Sequence, residues 1–166
     1  MSEVSFENLR ELLLGKSFVI LGVGNRLRGD DGVGAELAEE LSGLPGGERV
    51  WETGTVPENY LGRIVKIGPD VIIILDSVDF GQRPGKLEGF GLSDLSGGMI
   101  CSHSFSLAGM REWFDQLGLG KTVVIGIQPK SLELGSGLSR EVSEAKDFLK
   151  DILRKILQGK QETRLL

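Results

Sequence analysis

Three continuous apolar runs, "SFVILGV" (17–23), "DVIIILDSV" (70–78) and "KTVVIGIQP" (121–129), narrow the folds open to this chain more than any other feature. A strand with one face in water alternates apolar and polar side chains. The stretch Val71 to Leu75 has no polar face to offer, so it must be covered on both sides, as a central strand of a parallel sheet is. The covers are present between the runs. "DDGVGAELAEELSGL" reads as a helix ending near Gly43, "PENYLGRIVKI" as one begun by Pro57, and "SFSLAGMREWFDQLG" (104–118) as an amphipathic third. "SREVSEAKDFLKDILRKILQG" (139–159) closes the chain with apolar residues at helical spacing. "RVWET" and "GKLEGFGL" add two short strands, the second antiparallel at an edge. Strands alternating with helices predict the α/β class: a three-layer α/β/α sandwich around a mainly parallel twisted sheet of about five strands, one antiparallel, with right-handed crossovers.

The sequence reads as a single domain over 1–166. An extra N-terminal helix in 1–16 has Ser5 as its cap and packs at the edge of the fold, and a polar tail frays from Lys160. A net charge of -5 argues against nucleic acid, whose backbone is bound by clustered Lys and Arg. No apolar stretch approaches the ~20 residues that span a bilayer, and the N-terminus lacks the order of an export signal. Cys101 is the only cysteine, which rules out an intrachain disulfide and fits a reducing cytoplasm. Nothing in the acidic composition calls for a dimer, so a monomer is expected.

In open parallel sheets ligands sit outside the carboxyl ends of the strands, and the chemistry-bearing residues of this chain fall there. "GVGNRLRGDDGVG" (22–34) follows the first run, Asp76 ends the Ile-rich one, "QPK" follows the last, and the only histidine, His103, lies in "ICSHSFSL" at a helix start. A dinucleotide reading of Gly22 and Gly24, with Glu52 as the ribose-binding acid, is disfavoured on two counts. Leu27 stands where a third glycine is needed, and two carboxylates occupy the place of the pyrophosphate. Carboxylates and an imidazole at loop ends suit a borderline divalent cation with open coordination positions. Asp30 is expected to cap the helix that follows, whereas Asp31 has either a first-turn or a functional role. The glycines at 22, 24, 29, 32 and 34 build the turn, and Asn25 hydrogen-bonds within it or orients a peptide carbonyl. Cys101 reads as a buried thiol, since two positions from His103 is a poor spacing for a nucleophilic pair. No HExxH or GxSxG pattern occurs.

"GVGNRLRGDDGVG" resembles the signature G-N-x-L-x-x-D-D/E-G-x-G of the hydrogenase maturation endopeptidases, which trim the C-terminal tail of the large subunit of nickel-iron hydrogenases. "GTVPENYL" (54–61), "IIILDSVDFGQRPG", "SHSFSL" and "GIQPKSLELGSGLS" resemble further family segments in order and spacing, from about Phe18 to Leu157. "PEN" and "GIQP" lean toward the branch serving formate hydrogenlyase-type complexes. The resemblance implies metal-binding positions at Asp31, Asp76 and His103, with Asp31 and Asp76 also catalytic. Substrate contacts are expected at Asn25, Arg26, Arg28, Gly54 and Thr55, the two arginines through acidic groups of the precursor. The implied client is the large-subunit precursor, with nickel carried by that substrate and other divalent ions able to replace it in vitro. Water activation by the ion and general-base help from a carboxylate are both open. Thr53, where an extra glycine is common, and the two arginines depart from the family pattern. A non-catalytic nickel-dependent chaperone is the alternative.

Overall fold

A computed structural model describes residues 3–95, 100–101 and 104–164. The elements are α1 (Phe6–Leu13), β1 (Phe18–Val23), α2 (Val33–Ser42), β2 (Val50–Gly54), α3 (Leu61–Ile67), β3 (Val71–Asp79), β4 (Leu87–Gly91), β5 (Ile100–Cys101), α4 (Ser104–Leu117), β6 (Lys121–Ile127) and α5 (Arg140–Arg164). The sheet runs β2-β1-β3-β6-β4, with two-residue β5 paired to the end of β3. β1, β2, β3 and β6 are mutually parallel, while β4 runs antiparallel to β6 and β5 antiparallel to β3. The expected five-stranded, mainly parallel architecture is therefore the observed one, with two-residue β5 as an additional antiparallel strand.

The two-sided cover inferred from the isoleucines is real. Alternate residues of β1 and β3 enter opposite cores: Phe18, Ile20, Val71, Ile73 and Leu75 pack under α1, α2 and α5. Val19, Leu21, Ile72, Ile74 and Val78 pack under α3 and α4. Each such side chain, fully buried, contributes about 1.5–3 kcal/mol relative to exposure. Ser5 caps α1 as expected, its hydroxyl accepting the Asn8 N–H at 3.2 Å, and Leu9 and Leu13 bury that helix on the α5 side. The closing helix is longer than the sequence reading allowed. It passes Gly159 and the polar residues from Lys160 to reach Arg164, because Lys, Gln and Glu are good helix formers and one glycine costs only about 1 kcal/mol. Among the described residues no helix is long and apolar enough to cross a membrane.

Two glycines of the first turn set how closely α2 approaches the sheet. A Cβ on Gly34 would stand 2.2 Å from the Leu75 carbonyl oxygen and 2.4 Å from that of Val23. Only a bare Cα lets the helix start rest directly on the ends of β1 and β3. Gly29, at φ +55°, supplies the left-handed residue that turns the chain into the acidic segment.

Candidate active site

The register Gly22↔Leu75 makes β1 and β3 parallel neighbours that finish side by side. Beyond the end of β1, residues Gly29–Gly32 form a 3-10 turn that packs against β3. Asp31 in this turn is 1% exposed and Asp76, in β3, is 0% exposed. Two of the three expected metal-binding residues are thus brought to the carboxyl ends of adjacent strands. Asp31 Oδ2 accepts the Asn25 N–H at 3.2 Å, and Asp76 Oδ1 accepts the Ser77 N–H at 2.8 Å. By the alternation of β3, Asp76 belongs to the face that α3 and α4 cover.

The third residue, His103, lies outside the described residues, as does the environment of the Cys101 side chain. The described chain on either side is informative. Cys101 pairs with Val78, two residues beyond Asp76, and Ser104 opens α4. Among the described residues no cluster of three His, Cys, Asp or Glu side chains is able to hold a metal ion.

Asp30 corrects the sequence reading. It does not cap α2, whose start carries no side-chain cap; the 3-10 turn intervenes, and the carboxylate faces the loop after β6. Asp30 Oδ2 accepts from Lys130 N at 2.8 Å, Ser131 N at 3.1 Å and Ser139 Oγ at 2.9 Å, while Oδ1 accepts from Ser139 N at 2.6 Å. Its own N–H donates to the Ser131 carbonyl at 2.9 Å. A buried carboxylate is tolerable when several N–H and O–H donors converge on it. Asp30 is therefore structural, but it fastens the first loop to the last loop and to the start of α5. Adjacent acids in one turn have separate surroundings.

The expected substrate-contact residues also divide. Asn25 works within the turn: its N–H holds Asp31 and its Oδ1 accepts from Leu27 N at 3.0 Å. Arg26 folds back along α2, pairing with Glu39 at 2.5 Å and donating to the Ala35 carbonyl at 3.2 Å. The helix beneath the loop offers those acceptors within reach, so the guanidinium is engaged inside the chain. Arg28 and Thr55 are exposed. The Gly54 carbonyl accepts the Gly24 N–H at 2.9 Å, joining the ends of β1 and β2. Beside it the Thr53 hydroxyl donates to the Gly22 carbonyl at 3.0 Å, which gives that departure from the family pattern a purpose.

Gln128, marked in the sequence only as part of "QPK", is an organising residue. Only 6% exposed at the end of β6, it accepts from Phe80 N at 2.9 Å and Gln82 N at 3.2 Å and donates to Asp79 Oδ1 at 2.9 Å. It fixes the turn that leaves β3. The Gln128 amide, helped by the Gly81 N–H, holds the Asp79 carboxyl below its ordinary range. The signal in the sequence is the polar "QP" that ends an otherwise apolar run.

Fold and site together define an α/β/α protein with buried carboxylates at the carboxyl ends of neighbouring parallel strands, a place suited to carboxylate or metal-assisted chemistry. The chain belongs to the hydrogenase maturation protease family: the HycI model of that description matches residues 35–157. The hydrogenase 3 maturation protease of Escherichia coli K12 is 31% identical over 76% of this chain and 82% of its own. The crystal structure of a NiFe hydrogenase maturation protease, HycI from Thermococcus kodakarensis, superposes with a TM-score of 0.78 at 28% identity, covering 91% of this chain and 99% of that one. The hydrogenase maturating endopeptidase HybD of E. coli superposes at 0.69 with 25% identity, over 89% and 93% of the two chains. The protein is a peptidase, and the HycI match fits the branch that its "PEN" and "GIQP" segments suggested.

Proposed function

We propose that this protein removes the C-terminal extension of a nickel-iron hydrogenase large-subunit precursor, and does so only after nickel has been inserted. The nickel arrives as part of the substrate. In this reading it is shared between the precursor and the set Asp31, Asp76 and His103, whose oxygen and imidazole donors suit a borderline divalent ion. The observation that carries the proposal is the burial of two carboxylates, 1% and 0% exposed, at adjacent strand ends. Taking such charges out of water costs several kcal/mol each unless the surroundings compensate, and a cation delivered by the client adds compensation at the moment of docking. A precursor without the ion leaves the acids facing further electron-rich ligands, which selects against it. Metal loading thereby gates cleavage. The ion polarising the scissile carbonyl or its water, and Asp31 or Asp76 serving as base, are two routes this geometry permits. Thr55 and Arg28 are exposed and so available to the client chain.

The chaperone alternative is not favoured, since the family and the relatives named above are proteases. Lone Cys101 and the net charge of -5 support a cytoplasmic monomer. The test is an incubation with large-subunit precursor, with and without nickel. A shortened subunit and a released tail peptide should appear only in the loaded sample, and other divalent ions should replace nickel in vitro with lower efficiency. Equal cleavage of the empty precursor would remove the checkpoint, and binding without cleavage would restore the chaperone reading.

A further inference from the structure

Leu134 and Leu27 are the two most exposed large apolar side chains among the described residues, at 78% and 71%. Single exposed leucines are ordinary on a protein surface. These two are not single: the Gly135 N–H donates to the Leu27 carbonyl at 2.9 Å, so loops more than a hundred positions apart in sequence place them on one ridge. Nor is their exposure a matter of slack chain. Leu27 N is held by Asn25 Oδ1 at 3.0 Å. The opposing loop is fixed by the Asp30 carboxylate at Lys130, Ser131 and Ser139, by Glu133 N on Ser131 Oγ at 3.2 Å, and by Ser136 Oγ on the Glu133 carbonyl at 3.0 Å. A network of hydrogen bonds, part-buried at Asp30 and exposed at Asn25, Ser131 and Ser136, thus holds two leucines out in water.

The ridge is continuous with the candidate active site through one residue. Asn25 gives its N–H to Asp31 and accepts the Leu27 N–H on its side chain. Asn25 thereby sets the Leu27 backbone beside the turn that carries Asp31. We infer that Leu27 and Leu134 form an apolar contact for the precursor residues flanking the cleaved bond, selecting a client with a bulky aliphatic or aromatic side chain there. The inference rests on the peptidase reading of the same acids and names a specificity element for it. The two leucines bind and position; the acids act on the bond.

The test compares wild type, Leu27→Ser, Leu134→Ser and the double variant on nickel-loaded precursor. Leu14→Ser serves as control, because Leu14 is 67% exposed beside the groove at the other end of the sheet. Each ridge variant should raise KM about tenfold, the usual effect of losing one apolar pocket contact, with kcat within about twofold. Leu14→Ser should change neither. Binding is read separately from the anisotropy of fluorescently labelled loaded precursor, where the ridge variants should weaken Kd by the same factor. Unchanged KM and Kd in both ridge variants, or an equal weakening in Leu14→Ser, would overturn the ridge. A wild type that binds the loaded precursor but never cuts it would instead overturn the peptidase reading, while the binding comparison still decides the role of the leucines.

Discussion

The two ends of the sheet are built on opposite principles. At the carboxyl end, backbone approaches too close for any Cβ hold buried Asp30, Asp31 and Asp76 in a web of N–H donors. At the amino end, a groove of about 770 Å³ lies between α1, the start of β1 and the last turns of α5, lined by apolar residues such as Leu13, Phe18 and Ile156 and rimmed by Lys16 and Arg49. Lys160 bridges it, touching the Lys16 carbonyl and lying 4.5 Å from the centre of the Phe18 ring. One end spends polar burial on holding charge in place; the other is closed by soft, replaceable contacts. Tolerance to substitution should therefore fall steeply from the amino end to the carboxyl end.

Asp31→Asn should have the largest effect on activity. Processing of loaded precursor is expected to drop about 10²–10⁴-fold, the range for loss of an acid–base or charge-stabilising group, while thermal melting stays close to wild type. Asp76→Asn should behave alike. A large loss of stability with only a modest loss of rate would make these acids structural.

Gly34→Ala comes next. Its methyl must displace backbone on both β1 and β3, so chemical denaturation should show a loss of about 3 kcal/mol, at the upper end for overpacking. Asp30→Asn should follow at about 2 kcal/mol, the worth of hydrogen bonds to a charged acceptor. It should also loosen the loop over 130–139, visible as faster amide exchange at Lys130, Ser131 and Ser139. Unaltered exchange there would disconnect the two loops and leave Asp30 without the role assigned to it.

Between the two ends, α2 and α5 are clamped by Lys146, 6% exposed, bonded to Glu36 at 2.9 Å and Glu40 at 2.8 Å, with Lys150 at 3.2 Å from Glu40. Burial pushes the Glu40 carboxyl up, but the hydrogen bonds from Lys146 and Lys150 outweigh it and leave the group below its ordinary value. A carboxyl lowered by folding contributes stability above its unfolded pKa of about 4.3, and that contribution disappears as pH falls through the folded value. Lys146 is pushed down by burial and raised further by Glu40 and Glu36. Its contribution is complete below its unfolded pKa, about 10.4, and is lost as pH rises through the folded one. Denaturation measured from pH 6 down to pH 3 should show about 1 kcal/mol attributable to this partly exposed clamp, absent in Glu40→Gln. Smallest of all is Leu14→Ser at the amino end, expected within about 0.5 kcal/mol of wild type.

Much of this was legible in the residues. The apolar runs required a two-sided sheet, and the acids after β1 and in β3 had to emerge at its carboxyl ends, because strand polarity follows from right-handed βαβ connection. The length of α5 past Lys160 was not, since helix propensity and a frayed polar tail compete at similar energies.

The layer order, the membership of the family and the end of the sheet that carries the candidate active site are written in the sequence. These rest on periodicity and on motif order, both local properties of the chain. Only the tertiary structure separated Asp30 from Asp31, folded Arg26 back onto α2, put Gln128 behind the turn after β3 and set Leu27 beside Leu134. Each of those outcomes depends on which distant group supplies the hydrogen-bond partner, and that is decided by how the loops meet across the sheet.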